Sequence, residues 1–132
     1  MIGLDTNILI RYLTQDDPVQ SPKAISLIED ELTEEAPGFV SIVTLAETVW
    51  VLTRTFGLSD EEVVADLRLM LSADALVLEH EREVFTAMTV LQQKQGKFAD
   101  ALVAALSLKA GCSHTLTFDR KASRLLGFQL LS

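Results

Sequence analysis

The chain has 132 residues, 48% of them apolar and 23% charged, with a net charge of −8. That length and balance predict a single domain, residues 1–132, with a real core; disorder is excluded, and no apolar run approaches the twenty or so residues of a membrane span. A surface this acidic excludes gripping nucleic acid over the whole exterior, and leaves a local basic strip, metal bridges or a basic partner protein as modes of contact.

Residues 1–4 form a short apolar run that ends at Asp5 and predicts a buried first strand. The opening MIGLDTN has no basic segment and Asp5 interrupts its apolar stretch, so no signal peptide is expected and the cytoplasm is the default. Asp5-Thr6-Asn7 opens a helix carrying Ile8, Leu9, Tyr12 and Leu13, and residues 15–18 make a turn. A second helix to about Leu32 has Ala24, Ile25, Ile28 and Leu32 at helical spacing, and Pro37-Gly38 is a breaker. Phe39-Val40 predicts a second strand. A long apolar helix then runs from Ser41 or Ile42 to Phe56 and stops at Gly57. Ser59-Asp60-Glu61-Glu62 has the form of a capping box, followed by an inward stripe of Val63, Leu67, Met70 and Leu71. Residues 76–78 predict a third strand, and residues 81–95 a helix with Val84, Phe85, Met88 and Leu91 inward. After a hinge at Gly96-Lys97, a helix from Phe98 to Ala110 is closed by Gly111. Cys112 is alone, which excludes an intrachain disulfide and a cysteine zinc site. Residues 114–117 predict a fourth strand, Asp119 caps a short helix ended by Gly127, and residues 128–131 predict a last strand. Short apolar strands alternating with amphipathic helices are the signature of an open parallel sheet covered on both faces, with ligands gathering at strand carboxyl ends.

Four carboxylates stand out: Asp5, Glu47, Asp100 and Asp119. Asp5 and Asp119 lie at or just past strand ends, where each is also a natural helix N-cap. Asp100 falls in the first turn of its helix, where negative charge suits the macrodipole. Glu47 interrupts an apolar helix, between Leu45-Ala46 and Val49-Trp50-Val51, so a buried carboxylate in need of a partner is expected; the alternative is a narrow polar stripe with Thr44, Thr48 and Arg54. If a parallel sheet gathers all four, each pair about 5 Å apart repels by roughly 3 kcal/mol at an effective dielectric near 20. A cation or protons must offset that. Oxygen-only donors select Mg²⁺ or Mn²⁺, the ions of metal-assisted hydrolysis, over zinc. Thr6, Asn7 and Thr117 are candidate supporting groups that orient a carboxylate or a water. His80 and His114 are read as structural.

The opening MIGLDTNILIRYL resembles the start of PIN-domain ribonucleases. VTLAETVWVL is similar to the segment bearing their acidic helix residue, and KFADALVAALSLKAGCSHTLTFDRKASRL to their third and fourth acidic segments. The order Asp, Glu, Asp, Asp resembles VapC-type toxins of toxin–antitoxin systems. The resemblance covers essentially the whole chain. It implies a three-layer α/β/α fold with a central parallel sheet of about five short strands. It also implies a Mg²⁺- or Mn²⁺-dependent endoribonuclease in which Asp5, Glu47, Asp100 and Asp119 ligate metal, with Thr6, Asn7 and Thr117 at supporting polar positions. A homodimer is implied too, held inactive by an antitoxin whose basic tail enters the acidic groove. A mean hydropathy of +0.28 independently suggests apolar surface to be covered by a second copy or a partner.

Arg11, Lys97, Arg120, Lys121 and Arg124 flank the carboxylates in sequence and are candidate RNA phosphate contacts, with a solvated helix face as the alternative. Trp50 and Phe56 are read as core or dimer contacts rather than base-stacking platforms. Two other functions are open. A haloacid-dehalogenase-like phosphatase also starts from an Asp ending its first strand, but needs a second Asp two residues on, where this chain has Asn7. A non-catalytic PIN-like module that docks a protein would not need clustered charge.

Overall fold

The computed structural model describes residues 1–132. The chain divides into two compact units, Met1–Glu81 and Arg82–Ser132.

In the first unit three very short parallel strands, β1 (Ile2–Gly3), β2 (Gly38–Val40) and β3 (Leu76–Leu78), pair in the order β1-β2-β3. Parallel neighbours need crossovers. Helices α1 (Thr6–Thr14) and α2 (Gln20–Ser26) supply the first, and α3 (Ile42–Arg54) and α4 (Asp60–Ser72) the second. The second unit holds α5 (Glu81–Gln92), α6 (Phe98–Lys109) and the parallel pair β4 (Thr115–Thr117) and β5 (Phe128–Leu130), joined through a 3₁₀ turn at Ala122–Arg124. Six α-helices and five short parallel strands are the α/β architecture expected from the pattern, with the ladders grouping the strands as three and two.

Local chemistry explains most boundaries. Ser59 accepts from the Glu62 amide while Glu62 accepts from the Ser59 amide, so the capping box that starts α4 is complete. Helix α3 begins at its N-cap Ser41, whose hydroxyl accepts from the Thr44 amide. It ends at Arg54, two residues short of Phe56, because Phe56 and Leu58 turn their amides back onto Val51 and Leu52 and Gly57 adopts φ +65°. The second helix stops being α-helical at Ser26 and closes as a π-type turn over Leu27–Glu31. Gly38 is not a breaker but the first residue of β2. A Cβ there would sit 2.7 Å from Leu4 Cδ1 and 2.9 Å from Leu32 Cδ1, so the missing side chain is what lets those two leucines close over the strand.

The core of the first unit is built from Leu9, Val40, Leu45, Leu52, Val63, Leu67 and Met70, all essentially inaccessible, with α1 packed on α2 and α3. In the second unit Val84, Ala87, Met88, Phe98 and Leu102 are buried. Phe85, expected inward, is 54% exposed, because α5 turns Ala87 rather than Phe85 to the interior. Trp50 is also out of the core, at 60% exposure.

Asp66 on α4 is half-buried beside Phe56 and Leu58. Burial, then the neighbouring Glu62 charge, raises its carboxyl pKa above the ordinary value. A raised folded-state pKa favours the protonated form in the fold. Its stabilising contribution is complete below the unfolded pKa and is lost as pH rises through the folded one. Asp66→Asn is therefore expected to gain thermal stability over the parent at pH 7 and to lose that advantage near pH 3.5. An equal Tm difference at both pH values in a differential scan would show that the Asp66 carboxyl is not strained by burial.

Candidate active site

Asp5 follows β1 and is the N-cap of α1, with φ −85° and ψ 164°, the extended geometry a cap requires. Its Oδ1 accepts the Thr6 backbone N–H at 2.8 Å. Thr6 is buried, and its hydroxyl donates to Glu47 Oε1 on α3, forty-one residues further along the chain. One threonine thus holds both carboxylates: its amide faces Asp5 and its hydroxyl faces Glu47.

Glu47 itself is not buried. Helix α3 is apolar on nearly every side, yet only Leu45, Thr48, Val49 and Leu52 are buried. Val43, at 76% exposure, and Trp50, at 60%, flank Glu47 on the outward face. The polar stripe with Thr48 is equally absent, since Thr48 is fully buried and its hydroxyl donates to the Thr44 carbonyl. The sequence pattern misleads here because an apolar helix normally buries most of its circumference, and this one buries a single narrow stripe. Glu47 therefore obtains its partner, Thr6, at the surface.

In the second unit Asp100 lies in the first turn of α6, half-buried, with no side-chain cap at Lys97. Asp119 is exposed just past β4. Its Oδ1 accepts from the amides of Lys121 at 2.8 Å and Ala122 at 3.3 Å, and its own amide donates to Thr117 Oγ1 at 3.0 Å. Asp5 is the helix cap read from sequence, whereas the short helix expected after Asp119 is only a three-residue 3₁₀ segment with Lys121 as its N-cap, and Asp119 closes the turn leading into it; each aspartate uses one oxygen. Within neither unit do three His, Cys, Asp or Glu side chains come close enough to hold a metal ion.

Asn7 is exposed in the first turn of α1. Arg11 is committed in part: its Nε donates to Gln20 Oε1 at 2.8 Å and its Nη1 meets the Asp16 carboxylate at 3.1 Å. Neither Asp16 nor Gln20 stands out in the sequence. Both reach Arg11 only because α1 stops at Thr14 and the left-handed Gln15, at φ +54°, folds the chain back. Lys97, Arg120, Lys121 and Arg124 are exposed. His114 meets Ser113 Oγ through Nδ1 at 2.9 Å.

No helix is long and apolar enough to cross a membrane. No curated protein matches the chain. Among solved structures, it is similar to VapC20 of Mycobacterium tuberculosis, described as a Sarcin-Ricin loop cleaving toxin, at 23% identity over 93% of each chain and a TM-score of 0.47. The family model of the PIN domain matches residues 2–126, spanning both units and every acidic position above. On that match the chain belongs to the PIN-domain family of nucleases.

Proposed function

We propose that this PIN domain is a metal-dependent endoribonuclease, the toxin of a toxin–antitoxin pair, with Asp5, Glu47, Asp100 and Asp119 as the ligands of Mg²⁺ or Mn²⁺. The observation that carries this is the Thr6 link, which fastens the acidic residue of α3 to the acidic residue ending β1. A helix cap alone does not require a second carboxylate from across the chain.

The donor set fits a hard dication. It is oxygen throughout, and each residue keeps at least one carboxylate oxygen with no hydrogen bond: Oδ2 of Asp5, Oε2 of Glu47, Oδ2 of Asp119 and both oxygens of Asp100. Bound there, the cation supplies charge neutralisation at the phosphoryl oxygens and acidifies a water. The protein's own part is positional. Thr6 restricts the Glu47 carboxylate and fixes the rotamer of Asp5 through its amide. Thr117 and the two amides on its Oδ1 restrict Asp119 in the same way. Lys97, Arg120 and Lys121, with Arg11, contact RNA phosphates. An antitoxin with a basic tail is the partner the −8 charge suits. A homodimer is part of the same reading, supported by the mean hydropathy of +0.28, which leaves apolar surface for a second copy to cover.

Antitoxin-free protein incubated with single-stranded and structured RNA is expected to cut in Mn²⁺ or Mg²⁺ and to stop in EDTA. Cleavage that survives EDTA would remove the metal from the proposal. No cleavage of any RNA in Mn²⁺ would favour the non-catalytic docking module.

A further inference from the structure

A groove of about 370 Å³ opens between α1 and α2, beginning at Asn7, two residues past Asp5. Ile8 and Ala24 form part of its floor, and Asn7, Arg11, Gln20 and Lys23 are its polar lining. No carboxylate lines it, although the chain carries 19 acidic residues against 11 basic ones. Arg11 is braced rather than neutralised out of use. Its Nε and Nη1 are held by Gln20 and Asp16, which leaves the two Nη2 donors uncommitted. Lys23 has no ion-pair partner. On α1, Asn7 and Arg11 are one turn apart, about 6 Å along the axis.

The geometry points to this groove as a phosphate subsite for single-stranded RNA, with Lys23 and Arg11 binding the backbone of nucleotides next to the cleaved bond and Asn7 bridging toward Asp5. It rests on the nuclease proposal above. A polyanion approaching an acidic surface needs local positive charge to hold it beside carboxylates. Lys23, with no ion-pair partner, provides that, and the Nη2 donors of Arg11, whose charge Asp16 offsets, add hydrogen bonds beside the two amides; a basic antitoxin tail would find no carboxylate in the lining of the groove.

The test uses the full chain, a 5′-fluorescein single-stranded RNA, and the variants Lys23→Ala and Lys23→Glu, which change an exposed side chain. Anisotropy in EDTA is expected to show about 3-fold weaker binding for Lys23→Ala and at least 10-fold for Lys23→Glu. The slope of log K against log salt should fall by about 0.7, the value for one phosphate contact on a single strand. With Mn²⁺, KM should rise by the same factors while kcat holds. A parent that cuts RNA, with Lys23 variants of unchanged KM and salt slope, overturns the subsite and leaves the nuclease standing. A parent that cuts nothing but loses RNA affinity on Lys23→Glu sinks the nuclease and keeps the subsite. Affinity indifferent to Lys23 in a parent that cuts nothing overturns both and turns the groove over to a protein partner.

Discussion

Asp5→Asn and Asp100→Asn are each expected to lower RNA cleavage at least about 100-fold, a barrier increase of about 2.7 kcal/mol or more. Asparagine keeps the size of aspartate and can still accept a helix amide through its carbonyl oxygen. In Asp5→Asn the cap on α1 therefore survives, since it needs only the one oxygen that now meets the Thr6 amide. Asp100 makes no capping bond, so its replacement removes only a favourable interaction with the α6 dipole. On the proposed ligand set, what both variants lose is negative charge toward a dication. The measurement is single-turnover cleavage beside a thermal melt. A folded variant of either kind that cuts at the parental rate would falsify the ligand assignment. Loss of folding together with loss of cleavage would instead say that the residue serves the helix.

Thr6→Val should cut about 10- to 100-fold more slowly, the usual effect of removing a group that orients a metal ligand, while Thr6→Ser stays within about 3-fold of the parent. Valine matches threonine in shape and keeps the backbone amide that Asp5 accepts from, so only the hydroxyl donated to Glu47 disappears. Glu47 is exposed and exchanges that bond for water, so the melting temperature should hardly move. The ratio of kcat to stability carries the distinction. If Thr6 merely fills space in the core, valine leaves the rate intact; if it positions Glu47, the rate falls with the fold unchanged and serine restores it. A double-mutant cycle with Glu47→Ala adds a second measure: the two losses should be far from additive, because the hydroxyl acts through that carboxylate.

Much of the architecture was legible from residues close together in sequence. The Ser59–Glu62 capping box, the cap at Asp5 and the start of α3 at Ser41–Ile42 follow from local chemistry within a few residues, whereas α2 and α6 begin at Val19 and Lys97 with no side-chain cap. The strands were found within a residue or so, because apolar runs of three or four between breakers leave little choice. The four acidic positions all fall inside the stretch that the PIN-domain model matches.

What the sequence by itself determined was the periodic and the local: which segments are helices, which residues cap α1 and α4, and that the class is α/β. Tertiary structure alone decided the rest. It turned Glu47 and Phe85 outward where helical spacing pointed in, and took Trp50 out of the core, because which stripe of an apolar helix is buried depends on the neighbours it meets, not on its own composition. It made Gly38 a strand residue through the leucines that close over it. And it joined Thr6 to Glu47 across forty-one positions, a contact no local rule encodes, since a hydrogen bond of that span exists only once α1 has packed on α3.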